Sequence, residues 1–506
     1  MNTRSKSRAT TTLPVALSVT GVLACFVAES VVTSGFATVG LALIPVAVVT
    51  IAIAVADDTD VFSPLHWLLY LLATSVFGKT IYIVLLGNAY AQRVSLDGRS
   101  LDILDGGIYA MIIASVAFSV AYVATLGRAK RYNPVQDEAL ARARSSRAYY
   151  NSQSYKLFLI FSLVIASVSF LFFAQAFDLF GEIGRGVIVA KRLHEETVGG
   201  SSRGSAFGYL RWGAVTLPQV VVLATVVMCL HKKVPLRGSV KMLLVALAII
   251  SVLIPLFTSA RLELMYLFVM LGGAWHYYRR RTTLLKLTAL GLLLIFVTGA
   301  LGYARVVQKV ADSGPMNLDF IVSKTFGSAY FMDIGKTAVI VDTIPDLVPY
   351  QTGRTYGLIF LAPVPRALWP EKPSVRISTF VGDEIFYRPD NAGIPPGFVG
   401  EAYMNFGYLG VAGLSLLLGV VASRVYRALI FRSRRPLSRL WYIFFVIIFA
   451  FSALSGDFTV IVSQAVRYGL VLWIIDRFLF RRELQVSRAA PPGRGGRTSA
   501  RARVRT

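Results

Sequence analysis

The sequence predicts an all-α polytopic membrane protein of about twelve transmembrane helices, with both termini cytoplasmic and a long folded outer loop between spans nine and ten. Three observations carry that expectation. First, of 506 residues 55% are apolar and only 16% charged, whereas about a quarter of a soluble domain is charged. Second, the mean hydropathy is +0.62, and the apolar residues come in uncharged runs, most long enough to cross ~30 Å of hydrocarbon at ~1.5 Å per residue. Third, the net positive charge is confined to alternate connecting segments. Together these exclude a cytosolic enzyme, a disulfide-rich secreted scaffold and a disordered chain.

The runs place spans at 13–33, 36–56, 65–86, 107–126, 157–177, 209–230, 242–258, 262–278, 287–303, 405–426, 440–455 and 458–480. The first run lacks a small-residue cleavage site and another follows at once, so it reads as a helix and not as a signal peptide. Segments 1–12, 57–64, 127–156, 231–241, 279–286, 427–440 and 481–506 together hold the whole net charge of +25. This is the positive-inside pattern, and its exception is the acidic loop Asp57-Asp58-Thr59-Asp60. The basic charge is therefore a topology signal and a contact for anionic membrane lipids, not a nucleic-acid footprint. The tail 481–506 is rich in Arg, Pro and Gly and is expected to be disordered on the cytoplasmic surface.

Other features read plainly. Cys25 and Cys229 both fall in apolar runs, which gives no basis for a disulfide or a metal site. Asp58-Thr59-Asp60 has the outline of a short acidic motif that holds a metal and a nucleotide-sugar, but it reads as a solvated turn between spans two and three. His66, His194, His231 and His276 show no ligand spacing. Lys79 and Arg211 are expected to snorkel to, or sit at, the interface. The chain has neither a P-loop nor a dinucleotide glycine fingerprint.

Function is expected on the outer face. Residues 304–404 form a loop with apolar stretches and Pro-punctuated turns, which reads as a cap of short helices on the outer mouth of the bundle. A second outer segment, 178–208, carries Arg185. In the run Pro365-Arg366-Ala367-Leu368-Trp369-Pro370-Glu371-Lys372-Pro373 the prolines stiffen the backbone. Arg366, Lys372 and the following Arg376 are thereby held at the membrane mouth, where cations suit a phosphate leaving group. A second run, Gly393-Ile394-Pro395-Pro396-Gly397-Phe398-Val399-Gly400-Glu401-Ala402-Tyr403-Met404-Asn405-Phe406-Gly407, delivers a carboxylate, a phenol and an amide to the outer end of span ten.

These two runs, over about 355–413, and the order of parts resemble the oligosaccharide repeat-unit polymerases, the O-antigen or exopolysaccharide polymerases of the Wzy type. The resemblance implies a multi-pass glycosyltransferase of the plasma (inner) membrane. Its donor would be a glycan on undecaprenyl diphosphate. A sugar hydroxyl at the non-reducing end of the next lipid-linked repeat unit would attack the anomeric carbon, and undecaprenyl diphosphate would leave. No cofactor and no metal is implied. A flippase and a chain-length regulator are the partner proteins that such a system would use.

Diphosphate departure needs cations, and hydroxyl attack needs a base. The candidate catalytic residues are Arg366, Arg261 at the outer hairpin of spans seven and eight, and Glu401 as base. Lys372, Arg376, Tyr403, Arg185 and Arg467 are candidate substrate contacts. Arg467 lies about nine residues into span twelve, deep enough to need a partner or a wet cavity. Two readings compete. A related glycan ligase would carry a histidine in the long outer loop, and 304–404 has none. A flippase or transporter suits twelve spans, but transporters usually show two related halves and none is evident here.

The topology has a direct test. A cysteine placed near Ser313 should be labelled by an impermeant reagent from outside, whereas one near Ser145 or Ser499 should not. Outside labelling near Ser145 would overturn the assignment.

Overall fold

The computed structural model describes residues 20–25, 35–86, 96, 100–127, 153–176, 212–232, 236, 238–257, 261–283, 286–287, 289–291, 293, 296, 334–361, 369, 371, 377–387, 393–433, 437–455 and 458–476. These are mostly helical, with no strand among them. In chain order the helices are α1 (Phe36–Ala56), α2 (Pro64–Leu71, continuing through a π-helical stretch Leu72–Gly78 into Lys79–Leu86), α3 (Leu104–Leu126) and α4 (Gln153–Ala176). Then follow α5 (Leu217–Lys232), α6 (Gly238–Phe257) and α7 (Arg261–Tyr278). Two short helices, α8 (Ile334–Thr343) and α9 (Arg354–Leu361), precede α10 (Gly397–Tyr426), α11 (Ser438–Ser455) and α12 (Phe458–Ile474).

Among the described residues six helices are long and apolar enough to cross a membrane, and Gly213–Val227, Ser438–Ile448 and Phe458–Ile474 are shorter apolar helices. Helices occupy each expected span except the first and the ninth, which lie mostly outside the described residues, as do 127–152, 177–208 and the basic tail.

One end of the bundle is tied together by the loop between α1 and α2. Its residues alternate: Asp57 and Thr59 point out, and Asp58 and Asp60 are 8% and 7% exposed. The Asp60 carboxylate accepts from the hydroxyls of Tyr277 on α7 and Tyr426 on α10, each at 2.7 Å, and from the Phe62 N–H at 2.9 Å. The two hydroxyls share Oδ2, and His276 Nε2 lies 3.1 Å from Oδ1, the oxygen that takes the Phe62 N–H. Because the Thr282 N–H donates to His276 Nδ1 at 3.0 Å, the ring proton is on Nε2 and points at Asp60. Burial pushes the Asp60 carboxyl up, but the hydrogen bonds from His276, Tyr277 and the Phe62 N–H outweigh it and hold Asp60 below the usual carboxylate range. The hydroxyl of Tyr442 on α11 closes the hub on the Phe62 carbonyl at 2.7 Å.

The acidic motif is thus not the solvated turn expected from its sequence. It is a buried hub joining α1, α2, α7, α10 and α11. His66 and His276, which share no ligand spacing in sequence, both face it. Lys79 also departs from expectation: it is 1% exposed inside α2 and does not snorkel.

The spine of the bundle is the contact of α3 with α10. The two run parallel, with the Tyr408 hydroxyl 3.4 Å from the Gly106 carbonyl near one end and Gly419 against Phe118 toward the other. A Cβ at Gly419 would sit 2.4 Å from the Phe118 carbonyl oxygen, so the approach requires glycine.

At its start α10 folds back on itself. Phe406 (φ −143°, ψ 15°) and Gly407 (φ 61°, ψ −153°) leave helical geometry. A Cβ at Gly410 would meet the Ala402 carbonyl oxygen at 2.6 Å, although eight residues of straight helix span about 12 Å. The short arm, 397–405, therefore packs antiparallel beside the long arm. Phe398 and Val399 reach an apolar cavity shared with Leu71, Met111, Ser415 and Leu418. Helix α8 runs alongside the short arm: Lys336 Nζ donates to the Pro395 carbonyl at 2.8 Å, and Tyr403 Oη donates to the Ile344 carbonyl at 3.4 Å. Residues 334–340 and 399–405 are buried throughout. This part of the 304–404 segment enters the bundle; it does not lie on its mouth.

Gly407 makes the reversal possible, because its backbone region is essentially restricted to glycine. Gly407→Ala should lower stability by about 1–3 kcal/mol. Gly413→Ala, on the same helix with open space around it, should be neutral or stabilising by about 0.5–1 kcal/mol. Thermal melts of the purified variants in detergent would check both.

Candidate functional site

At the end of the bundle opposite Asp60, a polar knot joins α9, the short arm of α10 and the start of α12. Glu401, 1% exposed, accepts from Thr355 Oγ1 at 2.9 Å on one oxygen and from the Phe458 N–H at 2.7 Å on the other. Phe458 opens α12, so this carboxylate caps that helix and lies against the positive end of its dipole. Asn405, one turn after Glu401, donates from Nδ2 to Thr355 Oγ1 at 2.7 Å and to the Glu401 carbonyl at 2.8 Å. Its Oδ1 accepts the Gly353 N–H at 2.8 Å. The Thr355 hydroxyl therefore receives Asn405 and donates to Glu401.

Aromatic rings close over the knot. Tyr356 stacks on Phe406 with centroids 6.4 Å apart and meets Phe458 edge-on at 5.3 Å. Burial first, and the Glu401 charge second, push the Tyr356 phenol far up, so it stays protonated.

The sequence-expected residues separate into groups. Glu401 is at the centre of the knot. Tyr403 is buried, packs against Tyr350 and Tyr408, and spends its hydroxyl on Ile344; this is a packing position. Arg261 is the first residue of α7. Arg467 lies on the exposed side of α12. Arg366, Lys372, Arg376 and Arg185 lie outside the described residues, although Trp369 and Glu371 between them are exposed. Asp383 and Glu384 sit on a π-helical turn, Val381–Ile385, with both side chains exposed. Among the described residues no group of His, Cys, Asp and Glu is arranged to hold a metal ion.

Sequence reasoning missed Thr355 and Lys336. Thr355 is an ordinary helix-start residue with no motif around it. Lys336 is buried at 1% on α8, and a single lysine in a hundred-residue loop carries no signal of burial.

A family profile for O-antigen polysaccharide polymerase Wzy matches residues 15–483, nearly the whole chain. The chain belongs to the O-antigen polysaccharide polymerase Wzy family. No curated protein and no solved structure matches it. Family and fold together make it a multi-pass membrane protein of the Wzy polymerase type, a glycosyltransferase-like polymerase acting on lipid-linked oligosaccharide repeat units. In this Wzy protein the run carrying Glu401, Tyr403 and Asn405 supplies the knot, and Thr355 completes it.

Removing the Thr355 hydroxyl leaves one oxygen of a buried carboxylate without its donor. Thr355→Val should cost about 1–3 kcal/mol, and Thr355→Ser should restore most of it. Thermal unfolding of the two variants side by side would measure the difference.

Proposed function

We propose that this protein polymerises undecaprenyl-diphosphate-linked oligosaccharide repeat units on the outer face of the plasma membrane, with the Glu401 end of the bundle facing outward. The observation that carries the reading is the family match over residues 15–483. The positive-inside pattern supports the orientation, since the strongly basic segments 279–286 and 427–440 adjoin the Asp60 end.

In this reading a sugar hydroxyl of one lipid-linked unit attacks the anomeric carbon of the donor glycan, and undecaprenyl diphosphate departs. Arg366 and Arg261 stabilise the charge that develops on the diphosphate, and Lys372, Arg376, Arg185 and Arg467 contribute to holding it. Glu401 supports the site by position: it is buried, both its oxygens already have donors, and it fixes α9 just before the cationic run. Proton acceptance from the attacking hydroxyl falls to Asp383 or Glu384, the exposed carboxylates of the same segment. A flippase and a chain-length regulator would work beside it.

The test is polymer formation from purified lipid-linked repeat units. Arg366→Ala and Arg261→Ala should slow chain growth by about one to two decades each at unchanged protein level, with partial rescue by Lys. Loss of the true acceptor at Asp383 or Glu384 should cost about two to four decades. Glu401→Gln should lower activity and thermal stability together. A Gln variant of full stability that loses two or more decades of rate would return the base role to Glu401. Normal polymer from both Arg variants would remove those arginines from the mechanism.

A further inference from the structure

Between α3 and the long arm of α10 runs a line of hydroxyls that neither the Glu401 knot nor the polymerase reading uses. Ser115, Ser119 and Tyr122 recur at i, i+4 and i+7 on α3. Ser415, Gly419, Ser423 and Tyr426 recur at i, i+4, i+8 and i+11 on α10. Each set occupies one helix face, and the faces meet where Gly419 touches Phe118. Every one of these hydroxyl residues is at most 4% exposed.

Ser115 bonds back to the Ile112 carbonyl and Tyr426 donates to Asp60. The hydroxyls of Ser119, Tyr122, Ser415 and Ser423 have no hydrogen-bond partner among the described residues. The line starts at the apolar cavity, which Ser115 and Ser415 both face. It ends at the Asp60 hub, where Asp58 Oδ2 is also buried without a hydrogen-bond partner among the described residues. Tyr122 lies within electrostatic reach of Asp58 and Asp60.

Buried polar groups are hydrogen-bonded to protein or to ordered water, and an isolated exception is already costly. Four hydroxyls and a carboxylate oxygen, aligned in one seam, have a common solution. We infer that ordered water fills the α3–α10 seam and that Asp58 is a proton-binding site at its end. There the Asp58 carboxylate takes a proton from hydronium, leaving the carboxylic acid and water.

The surroundings favour that exchange. Asp58 faces Asp60 and Asp57 on its own loop and His66 and Tyr70 on α2, with the His66 ring nitrogen 3.9 Å away. From the other elements the hub receives Tyr122 of α3, His276 and Tyr277 of α7, Tyr426 of α10 and Tyr442 of α11. Arg439 of α11 donates to the Tyr277 carbonyl at 3.1 Å, at the rim. Burial first and the Asp60 charge second push the Asp58 carboxyl up to about 7, against hydrogen bonds from Ser63 and the Asp60 backbone. A raised carboxyl binds its proton more tightly in the folded state, so its stabilisation is complete below the ordinary carboxylate range and is lost as pH rises through about 7.

Radiolytic hydroxyl-radical footprinting of the full-length protein tests the water, because radicals generated from bound water mark buried neighbours. Tyr122 should be modified several-fold faster than Tyr442, which is as deeply buried but has its hydroxyl bonded to Phe62. Combined Ser119→Ala, Ser415→Ala and Ser423→Ala should bring Tyr122 down to the Tyr442 rate. Equal rates in the unmutated protein would overturn the hydrated seam. For the proton, the stability of the unmutated protein relative to Asp58→Asn should fall as pH rises from about 4 to about 7, a comparison that cancels the slopes of the neighbouring groups. The same pH slope in Asp58→Asn as in the unmutated protein would overturn the site. If that variant does not fold, a protonated-carboxyl infrared band of the unmutated protein should titrate around pH 7; no such band would overturn it equally.

Discussion

The Asp60 carboxylate is the point on which the helix packing depends. A bundle in hydrocarbon gains little by hiding apolar side chains, since the lipid is as apolar as they are. What specifies its arrangement is the need to satisfy each buried polar group from within the protein. Asp60 collects donors from α7, α10 and its own loop, and the Phe62 carbonyl beside it collects α11. The ends of helices far apart in sequence are thereby brought level. With Tyr426 held there, the long arm of α10 has a set height beside α3, and that height brings Gly419 opposite the Phe118 carbonyl and Tyr408 opposite Gly106.

From that register follows the geometry of the other end. The long arm reaches Tyr408 at the start of α3, and the Gly407 reversal sends the short arm back into the bundle beside it. Glu401 then meets the first N–H of α12 and the Thr355 hydroxyl of α9. One helix is anchored by a carboxylate at each end, by its own Glu401 at one and by Asp60 through Tyr426 at the other.

Much of the span architecture was legible in the sequence, because a run without charges that spans hydrocarbon has few other structural meanings. The reversal in α10 was not. Residues 397–426 are continuously helix-compatible and low in charge, and nothing in composition separates a long tilted helix from a short arm doubled back on a longer one. The glycine at 407 is one of 41 in the chain. At the candidate site the carboxylate and amide of Glu401 and Asn405 stood out through the run 393–407 that carries both to the outer end of span ten, while Thr355, the group that joins them, lies about fifty residues away. Lys79 was misread for a related reason: a snorkelling lysine and a buried one have the same local sequence, and only the neighbouring helices distinguish them.

The acidic loop shows how burial alters an argument made from charge. Counted as a surface segment, 57–64 contradicts the distribution of basic residues over the other segments on its side. Charge bias orients a chain through side chains presented to the membrane surface. Of the three aspartates in this loop only Asp57 is exposed; Asp58 and Asp60 are enclosed among His276, Tyr277 and Tyr426. Their charge acts on the hub and not on the lipid headgroups. The segment therefore carries little weight against the basic runs beside it, among them Arg279-Arg280-Arg281 at the end of α7 and Arg427 and Arg432 at the end of α10. The feature that weakened the topology from sequence is, in three dimensions, the one that holds those ends together.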